Sequence, residues 1–175
     1  GNPMRKFTLA AVFALSGCAG IPEGIEPVDK FELEPYLGTW YEIARLDHRF
    51  ERGLSNVTAK YTLREDGGVS VLNRGYRAKK DKWDEAEGKA YFVGDPGVGQ
   101  LKVSFFGPFY GAYNVFELGE NYEYSMVAGA NRSYLWILAR KAQLSQSMLD
   151  ELLAKAEAAG YDTSELIFVE HDRAP

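Results

Sequence analysis

Eight short strand-like segments follow one another between residues 38 and 140, and this run constrains the fold more than any other feature. Each segment is rich in β-branched and aromatic residues, and turn-forming Gly, Pro, Asn and Asp residues separate it from the next. The short links and the absence of an intervening helical pattern predict antiparallel neighbours in up-and-down order. The predicted strands are residues 38–46, 56–64, 69–77, 83–93, 100–106, 109–118, 122–128 and 133–140.

The number of strands favours a closed barrel. Eight antiparallel strands close into a barrel whose interior can hold one small ligand, whereas a two-sheet sandwich would leave long apolar edges to protect. We therefore predict an all-β fold, an eight-stranded up-and-down antiparallel β-barrel. Because consecutive links lie at alternate ends, the loop 47–55, the charged link 78–82 and the turns at 107–108 and 129–132 share one end, which we predict to be open.

One helix is predicted after the strands, over residues 146–159. Ser145 is suited to the N-cap position and Gly160 to the position that follows the helix. Residues 166–169 predict a last short strand. The apolar residues of the helix recur at helical spacing and predict packing against the barrel wall: Met148, Leu149, Leu152, Leu153 and Ala156.

Gly38-Thr39-Trp40 opens the first predicted strand. A large indole so early in a strand is typical of a plug at a closed barrel end, although the core of a β-sandwich would also hold one. Because side chains alternate along a strand, Trp40, Glu42 and Ala44 should point inward together. Residues 28–37 are predicted to cross the closed end before this strand begins.

The amino terminus has the pattern of an export signal. Residues 1–3 precede Met4 and look like a cloning remnant, and residues 4–17 join an early positive charge to a short apolar run, as in a signal peptide. The run ends in Leu15-Ser16-Gly17-Cys18, which resembles the bacterial lipoprotein signal. That resemblance implies a diacylglycerol thioether on Cys18, and the alternative is a free buried cysteine.

The residues after Cys18 predict where the domain is held. Ala19 rather than Asp follows the cysteine, and by the same resemblance this implies a lipid-anchored protein of the Gram-negative outer membrane, facing the periplasm. Residues 18–28 are rich in Gly and Pro and predict a flexible tether, and residues 29–175 form a single domain. The net charge of −5 and the lack of a basic stripe make nucleic acid an unexpected partner.

Few residues of this chain are suited to catalysis or metal binding. Cys18 is the only cysteine, so no cysteine nucleophile is expected inside the domain. The two histidines, His48 in a loop and His171 in the tail, are predicted to lie outside the barrel interior, which argues against a metal site and against axial ligation of haem. Glu42 is the one carboxylate expected to be buried, and we interpret it as structural. The residues favour a binding protein without a cofactor over an enzyme.

Three motifs in this order make the chain similar to the lipocalins, in particular the bacterial outer-membrane lipoprotein lipocalins and the related apolipoprotein D group. Gly38-Thr39-Trp40 matches the first family signature, Tyr122-Glu123-Tyr124 stands where the second usually reads Thr-Asp-Tyr, and Arg140 matches the third. The resemblance extends over essentially the whole chain after the tether. It implies that Arg140 packs its guanidinium over Trp40 beside Gly38, a cation–π contact at the closed end.

Alternation along the strands assigns the positions that face the interior. The predicted ligand-binding residues are Ala44, Val57, Ala59, Tyr61, Val71, Asn73, Ala90, Phe92, Val103, Phe105, Tyr113, Val115, Met126, Trp136 and Leu138. The predicted rim of the open end consists of Phe50, Leu54, Phe106, Phe109 and Tyr110. The rim rings either pack on one another or form an entrance for acyl chains. The cations nearby are either solvated loop charges or partners of a lipid head group: Arg49, Arg52, Lys79, Lys80 and Lys82.

The resemblance implies a lipid-anchored carrier that holds fatty acids or lysophospholipids in an apolar cavity, for storage, transport or maintenance of envelope lipids. Two alternatives stay open at this point: a carrier of haem or another tetrapyrrole, and a lipocalin-type enzyme. The aromatic rim also allows a homodimer through the open-end loops, because exposed apolar surface tends to be covered.

Overall fold

The computed structural model describes residues 20–174; the predicted signal peptide, Cys18 and Pro175 lie outside them. The barrel strands are β1 Gly38–Leu46, β2 Leu54–Leu63, β3 Val69–Arg77, β4 Lys82–Phe92, β5 Gln100–Phe106, β6 Phe109–Leu118, β7 Tyr124–Ala128 and β8 Leu135–Ala139. The other elements are the short helix α1 Leu33–Tyr36, the helix α2 Gln146–Ala158 and the strand β9 Leu166–Phe168. Within the described residues, no helix is long and apolar enough to cross a membrane.

The sheet closes on itself, and the predicted antiparallel barrel is confirmed. Each strand from β2 to β8 pairs with its sequence neighbours, and β1 pairs with both β2 and β8. Trp40 lies opposite Ala59 of β2, and Glu42 lies opposite Leu138 of β8. β9 adds to the other end of β1 as an extra strand. The barrel therefore has one continuous wall and two ends, as up-and-down strand order requires.

Trp40 fills the closed end and is 0% exposed. Its indole nitrogen donates a hydrogen bond to the carbonyl of Tyr36 at 2.8 Å, and the guanidinium carbon of Arg140 lies 3.8 Å from its ring centroid. Arg140 also donates to the carbonyl oxygens of Pro35, Leu37 and Thr39. The segment predicted to cross this end contains α1, which the sequence did not predict, and Arg140 holds that helix to the start of β1.

The helix α2 packs against the outside of the barrel. The hydroxyl of Ser145 accepts a hydrogen bond from the backbone nitrogen of Met148 at 3.1 Å, which confirms the predicted N-cap. Leu152 and Ala156 are fully buried against Ile137 of β8 and its neighbours. The helix therefore covers the outward face of β1, β7 and β8 and leaves the barrel interior free.

Residues 20–28 do not form the flexible tether that the composition predicted. The side-chain amide of Asn114 donates a hydrogen bond to the carbonyl of Gly20, and Ile25 is buried in the cluster beneath α2. Backbone hydrogen bonds of 2.8 Å join Val28 to both Val115 and Gly99. The Gly and Pro residues allow this segment to turn tightly on the barrel wall, and its buried side chain and paired backbone hold it there.

Candidate functional site

The interior of the barrel contains a cavity of about 570 Å³ that opens at the end bearing the long loops. Aliphatic and aromatic side chains from β2 to β6 form most of its wall. The mouth lies between the loop after β1, the turn between β5 and β6, and the loop between β7 and β8. Such a concave and mostly apolar space suits a small hydrophobic molecule.

Most of the residues predicted to face the interior do line this cavity. They are Val57, Ala59, Tyr61, Val71, Asn73, Ala90, Val103, Phe105, Tyr113, Trp136 and Leu138. Four of the five predicted rim residues lie at its mouth: Phe50, Phe106, Phe109 and Tyr110. Whether these side chains contact a ligand stays a prediction.

Five predicted site residues do not line the cavity. Ala44 and Met126 face the helix outside the barrel. Ala44 does so because a bulge after Glu42 shifts the alternation of β1. Met126 does so because the side chains of β7 alternate in the opposite sense to the prediction. Phe92 and Val115 belong to the inner cluster that contains Trp40 but do not line the cavity, and the ring of Phe92 packs edge-on against that of Phe31. Leu54 begins β2 and packs over Gly75 instead of the mouth.

Three tyrosines form the cavity floor and satisfy one another's hydroxyls. The hydroxyl of Tyr113 lies 2.7 Å from that of Tyr36 and 2.8 Å from that of Tyr61, and Tyr36 also contacts Ser125 at 2.8 Å. Burial raises the pKa of Tyr36 to about 12 and raises the pKa values of Tyr61 and Tyr113 as well. The three phenols therefore stay neutral, and the floor presents hydrocarbon without unpaired polar atoms.

One side of the wall is polar, and the sequence did not predict it. Arg45 is buried and donates a hydrogen bond to Glu42 at 3.0 Å, while its other terminal nitrogen donates to the carbonyls of Glu51 and Leu54. Glu42, His48 and Glu51 all line the cavity. His48 thus lies at the interior, contrary to the prediction that it would stay outside. His171 does stay outside: its ring contacts the carbonyl of Glu42 at 2.7 Å and packs on Tyr41.

The comparisons with known proteins agree with this geometry. The family model described as lipocalin-like domain matches residues 31–171. The chain belongs to the lipocalin family. It is 56% identical over 165 residues to the outer membrane lipoprotein Blc of Vibrio cholerae, covering 94% of this chain and 96% of that protein. It is 51% identical over 162 residues to the outer membrane lipoprotein Blc of Escherichia coli K12, covering 91% and 92%.

A solved lipocalin structure supports the same fold. The insecticyanin of the tobacco hornworm Manduca sexta superposes with a TM-score of 0.70 at 20% identity, and the match covers 87% of each chain. At this identity the likeness concerns the barrel and its helix only. Within residues 20–174 of this lipocalin, no three His, Cys, Asp or Glu side chains are grouped so as to hold a metal ion.

The cations predicted near the mouth differ in their surroundings. Arg52 pairs with Asp47 at 3.0 Å, and Lys82 lies 3.8 Å from Asp84. Arg49 instead places its guanidinium carbon 5.0 Å from the ring centroid of the exposed Phe50. Arg49 therefore lies beside an exposed ring of the entrance, where its guanidinium can meet a polar group.

Glu42 is the titratable group most affected by the cavity. Its burial and the nearby charge of Glu51 raise its pKa well above the ordinary glutamate value, although Arg45 opposes the shift. Burial also tends to raise the pKa of Glu51. The interactions of Glu51 with His48, Glu42 and Arg45 outweigh this effect, so the pKa of Glu51 is lowered. The pKa values of the two carboxyls are therefore driven apart, and the guanidinium of Arg45 lies 3.0 Å from Glu42 and 3.6 Å from Glu51.

We expect the free energy of unfolding to fall as pH rises above the ordinary glutamate range, and a Glu42→Gln variant to lack this fall. The unfolded chain ionises Glu42 near pH 4.3, at about its ordinary pKa, while burial raises the pKa of Glu42 in the folded protein. The contribution to stability is therefore full below about pH 4.3 and is lost as pH rises through the folded pKa. The slope is at most about 1.4 kcal/mol per pH unit. Urea unfolding across the range from about pH 5 to 8 measures it; equal slopes in both proteins would contradict the protonated state of Glu42.

Proposed function

We propose that this lipocalin binds single-chain lipids, either fatty acids or lysophospholipids, in the barrel cavity, and serves the storage, transport or maintenance of envelope lipids. The observation that carries the proposal is the cavity itself, an apolar cup closed by Trp40 at one end and bordered by aromatic side chains at the other. The proposal is one of binding without catalysis: burial keeps the phenols of the floor neutral, and the carboxyls of Glu42 and Glu51 are paired with Arg45.

We propose further that the protein is anchored to the outer membrane through a lipid on Cys18. Two lines of support exist: the Leu15-Ser16-Gly17-Cys18 sequence, and the name outer membrane lipoprotein borne by relatives 56% and 51% identical to this chain. A carrier held at the membrane would find acyl chains close to its mouth. We also propose that two copies can form a homodimer through the open-end loops, because such a dimer would cover the exposed rim rings.

The size of the cavity bears on how tightly a lipid would bind. Burying about ten methylenes gains roughly 0.8 kcal/mol for each. Association and the ordering of the chain oppose much of this gain, so the affinity should be micromolar or somewhat tighter. A barrel of eight strands has room for little more than one acyl chain, so a two-chain phospholipid should bind much more weakly than a lysophospholipid.

Titration with fatty acids and lysophospholipids of increasing chain length tests the proposal. Trp136 lines the cavity and donates a hydrogen bond to Glu51 at 3.3 Å, so its fluorescence should change when the cavity fills. The affinity should rise with each methylene and then level off when the cup is full. A Trp136→Phe variant should bind with the same affinity and lose most of the signal. An affinity that ignores chain length would contradict an acyl-chain site.

Because His48 lies at the cavity, a tetrapyrrole such as haem is a second candidate ligand and should be titrated in the same experiment. His48 makes no hydrogen bond within the described residues, although its Nε2 lies 3.6 Å from a carboxylate oxygen of Glu51. Its ring borders the cavity beside Trp136. A haem titration run beside the lipids separates the two. Haem binding far tighter than any lipid, and lost in a His48→Phe variant, would replace the acyl carrier with a haem carrier.

A further inference from the structure

The turn between β5 and β6 carries the most exposed large apolar side chains of the described residues. Phe106 is 72% exposed and Phe109 is 77% exposed, on either side of Gly107 and Pro108. The positive φ of Gly107 makes the turn tight, so that the two rings flank its tip. Apolar rings held in water in this way usually mark a surface that something covers.

The first described residues of the chain lie on this same hairpin. Gly20 sits against Gln100 of β5 and Ala112 of β6, and its carbonyl accepts the hydrogen bond from Asn114. Ala112 follows Phe109 by three residues along β6, about 10 Å at the usual rise of a strand. The same side-chain amide also donates to the carbonyl of Gly129, in the open-end loop between β7 and β8, at 3.4 Å. The chain therefore leaves the barrel wall on the side of that loop, about 10 Å from the exposed rings.

The distance from Gly20 to the proposed anchor is short. Cys18 precedes Gly20 by two residues, which span at most about 7 Å of extended chain. Because residues 20–28 are packed on the barrel instead of forming a free tether, they add no further reach. A lipid on Cys18 must therefore enter the bilayer within a short distance of the β5–β6 hairpin.

The charge of the hairpin agrees with a membrane surface. Residues 100–114 contain no Asp or Glu and one Lys, in a chain whose net charge is −5. The ammonium nitrogen of Lys102 lies 4.7 Å from the ring centroid of Tyr110, just behind the tip. An aromatic tip backed by a cation suits the interface of a bilayer, where rings enter the acyl boundary and amines meet phosphates.

We propose that the tip of the β5–β6 hairpin, with Phe106 and Phe109, is a second membrane contact that acts together with the lipid on Cys18. The inference rests on the proposed anchor. The two contacts orient the barrel with its mouth toward the bilayer, so that an acyl chain passes from the membrane into the cavity without crossing water. The closed end then faces away from the membrane.

A thiol probe in the lipidated full-length protein tests this orientation. Cys18 is the only cysteine and its sulfur is consumed by lipidation, so Phe109→Cys introduces the one free thiol for an environment-sensitive dye. Leu63→Cys is the matched control, because Leu63 is also an exposed apolar residue but ends β2 at the closed end, away from Gly20. Both proteins are placed in vesicles of phosphatidylethanolamine and phosphatidylglycerol that contain a lipid with a nitroxide on its acyl chain.

We expect the dye at position 109 to shift to the blue and to be quenched several-fold more strongly than the dye at position 63. Vesicle-bound protein with both dyes in water would overturn the hairpin contact and leave the anchor standing. A blue shift at 109 without quenching would also overturn it, since a second protein copy would then cover the tip. We expect the Cys18→Ser variant, which cannot be lipidated, to fail to bind vesicles. If the proteins that retain Cys18 also failed to bind, both the anchor and the hairpin contact would be overturned.

Discussion

Replacing Trp40 by Ala should lower the free energy of unfolding by roughly 3–5 kcal/mol, as the truncation of a fully buried Trp does. The indole packs 4.9 Å from the ring of Tyr36 and beneath the guanidinium of Arg140. Its loss leaves a cavity at the closed end, an unpaired carbonyl at Tyr36 and a cation without its ring. Urea unfolding followed by far-ultraviolet circular dichroism measures the change.

Trp83→Ala provides the matched control for that experiment. Trp83 lies on β4, half-buried, with the guanidinium carbon of Arg74 4.2 Å from its ring centroid. Removing it should cost about 1 kcal/mol, the size of a cation–π contact near solvent. If both variants unfolded at the same urea concentration, Trp40 would not be the residue that closes the barrel.

Replacing Val103 by Trp should nearly abolish lipid binding while the barrel stays folded. Val103 lines the cavity and lies opposite Gly111 in the sheet, so a larger side chain can extend into open space without displacing a neighbour across the strand. An indole there displaces about four methylenes of a bound chain, about 3 kcal/mol. That loss corresponds to an affinity roughly 200-fold weaker.

A Trp at the neighbouring position controls for the chemistry of the new ring. Lys102 precedes Val103 on β5, and its exposed side chain points outward. Lys102→Trp therefore adds the same indole to the outer face of the barrel and should leave the affinity for a soluble lysophospholipid unchanged. Equal affinities for both variants, measured by calorimetry, would show that lipids bind somewhere other than the barrel interior.

The architecture was predictable because the barrel depends on local signals repeated many times. Turn residues fix where each strand ends, and the short links leave antiparallel pairing as the simple arrangement. The bounds of β1, β3, β5 and β6 agree with the prediction. β7 begins later than predicted because Asn121 and Tyr122 have a positive φ and form a 3-10 turn, which a strand-like composition does not reveal.

The facing of individual residues was less predictable because it depends on bulges. Trp40 and Glu42 face the interior as alternation requires, but the bulge after Glu42 turns Ala44 outward and Arg45 inward. Along β8 no bulge intervenes, and Trp136 and Leu138 both line the cavity. One extra residue in a strand moves every later side chain to the opposite face of the sheet. The sequence of β1 contains no local signal that predicts this bulge.

The polar wall could not be predicted because its members meet only after the barrel closes. Glu51 and His48 belong to the loop after β1, whose composition resembles that of any solvated loop. Two residues of β1 give a signal. Alternation places the carboxyl of Glu42 inside the barrel, and a cation such as Arg45 within the same strand requires buried partners. The packing of residues 20–28 was hidden for a similar reason, since Gly and Pro residues serve tight turns on a surface as well as flexible tethers.

Mass spectrometry under native conditions can show whether the barrel cavity holds one single-chain lipid. The folded domain is incubated with a crude lipid extract from Gram-negative envelopes, separated from free lipid and weighed intact. We expect one fatty acid or lysophospholipid per protein, and none on the Val103→Trp variant. Protein without lipid, protein with a two-chain phospholipid, or lipid retained equally by the Val103→Trp variant would contradict the claim.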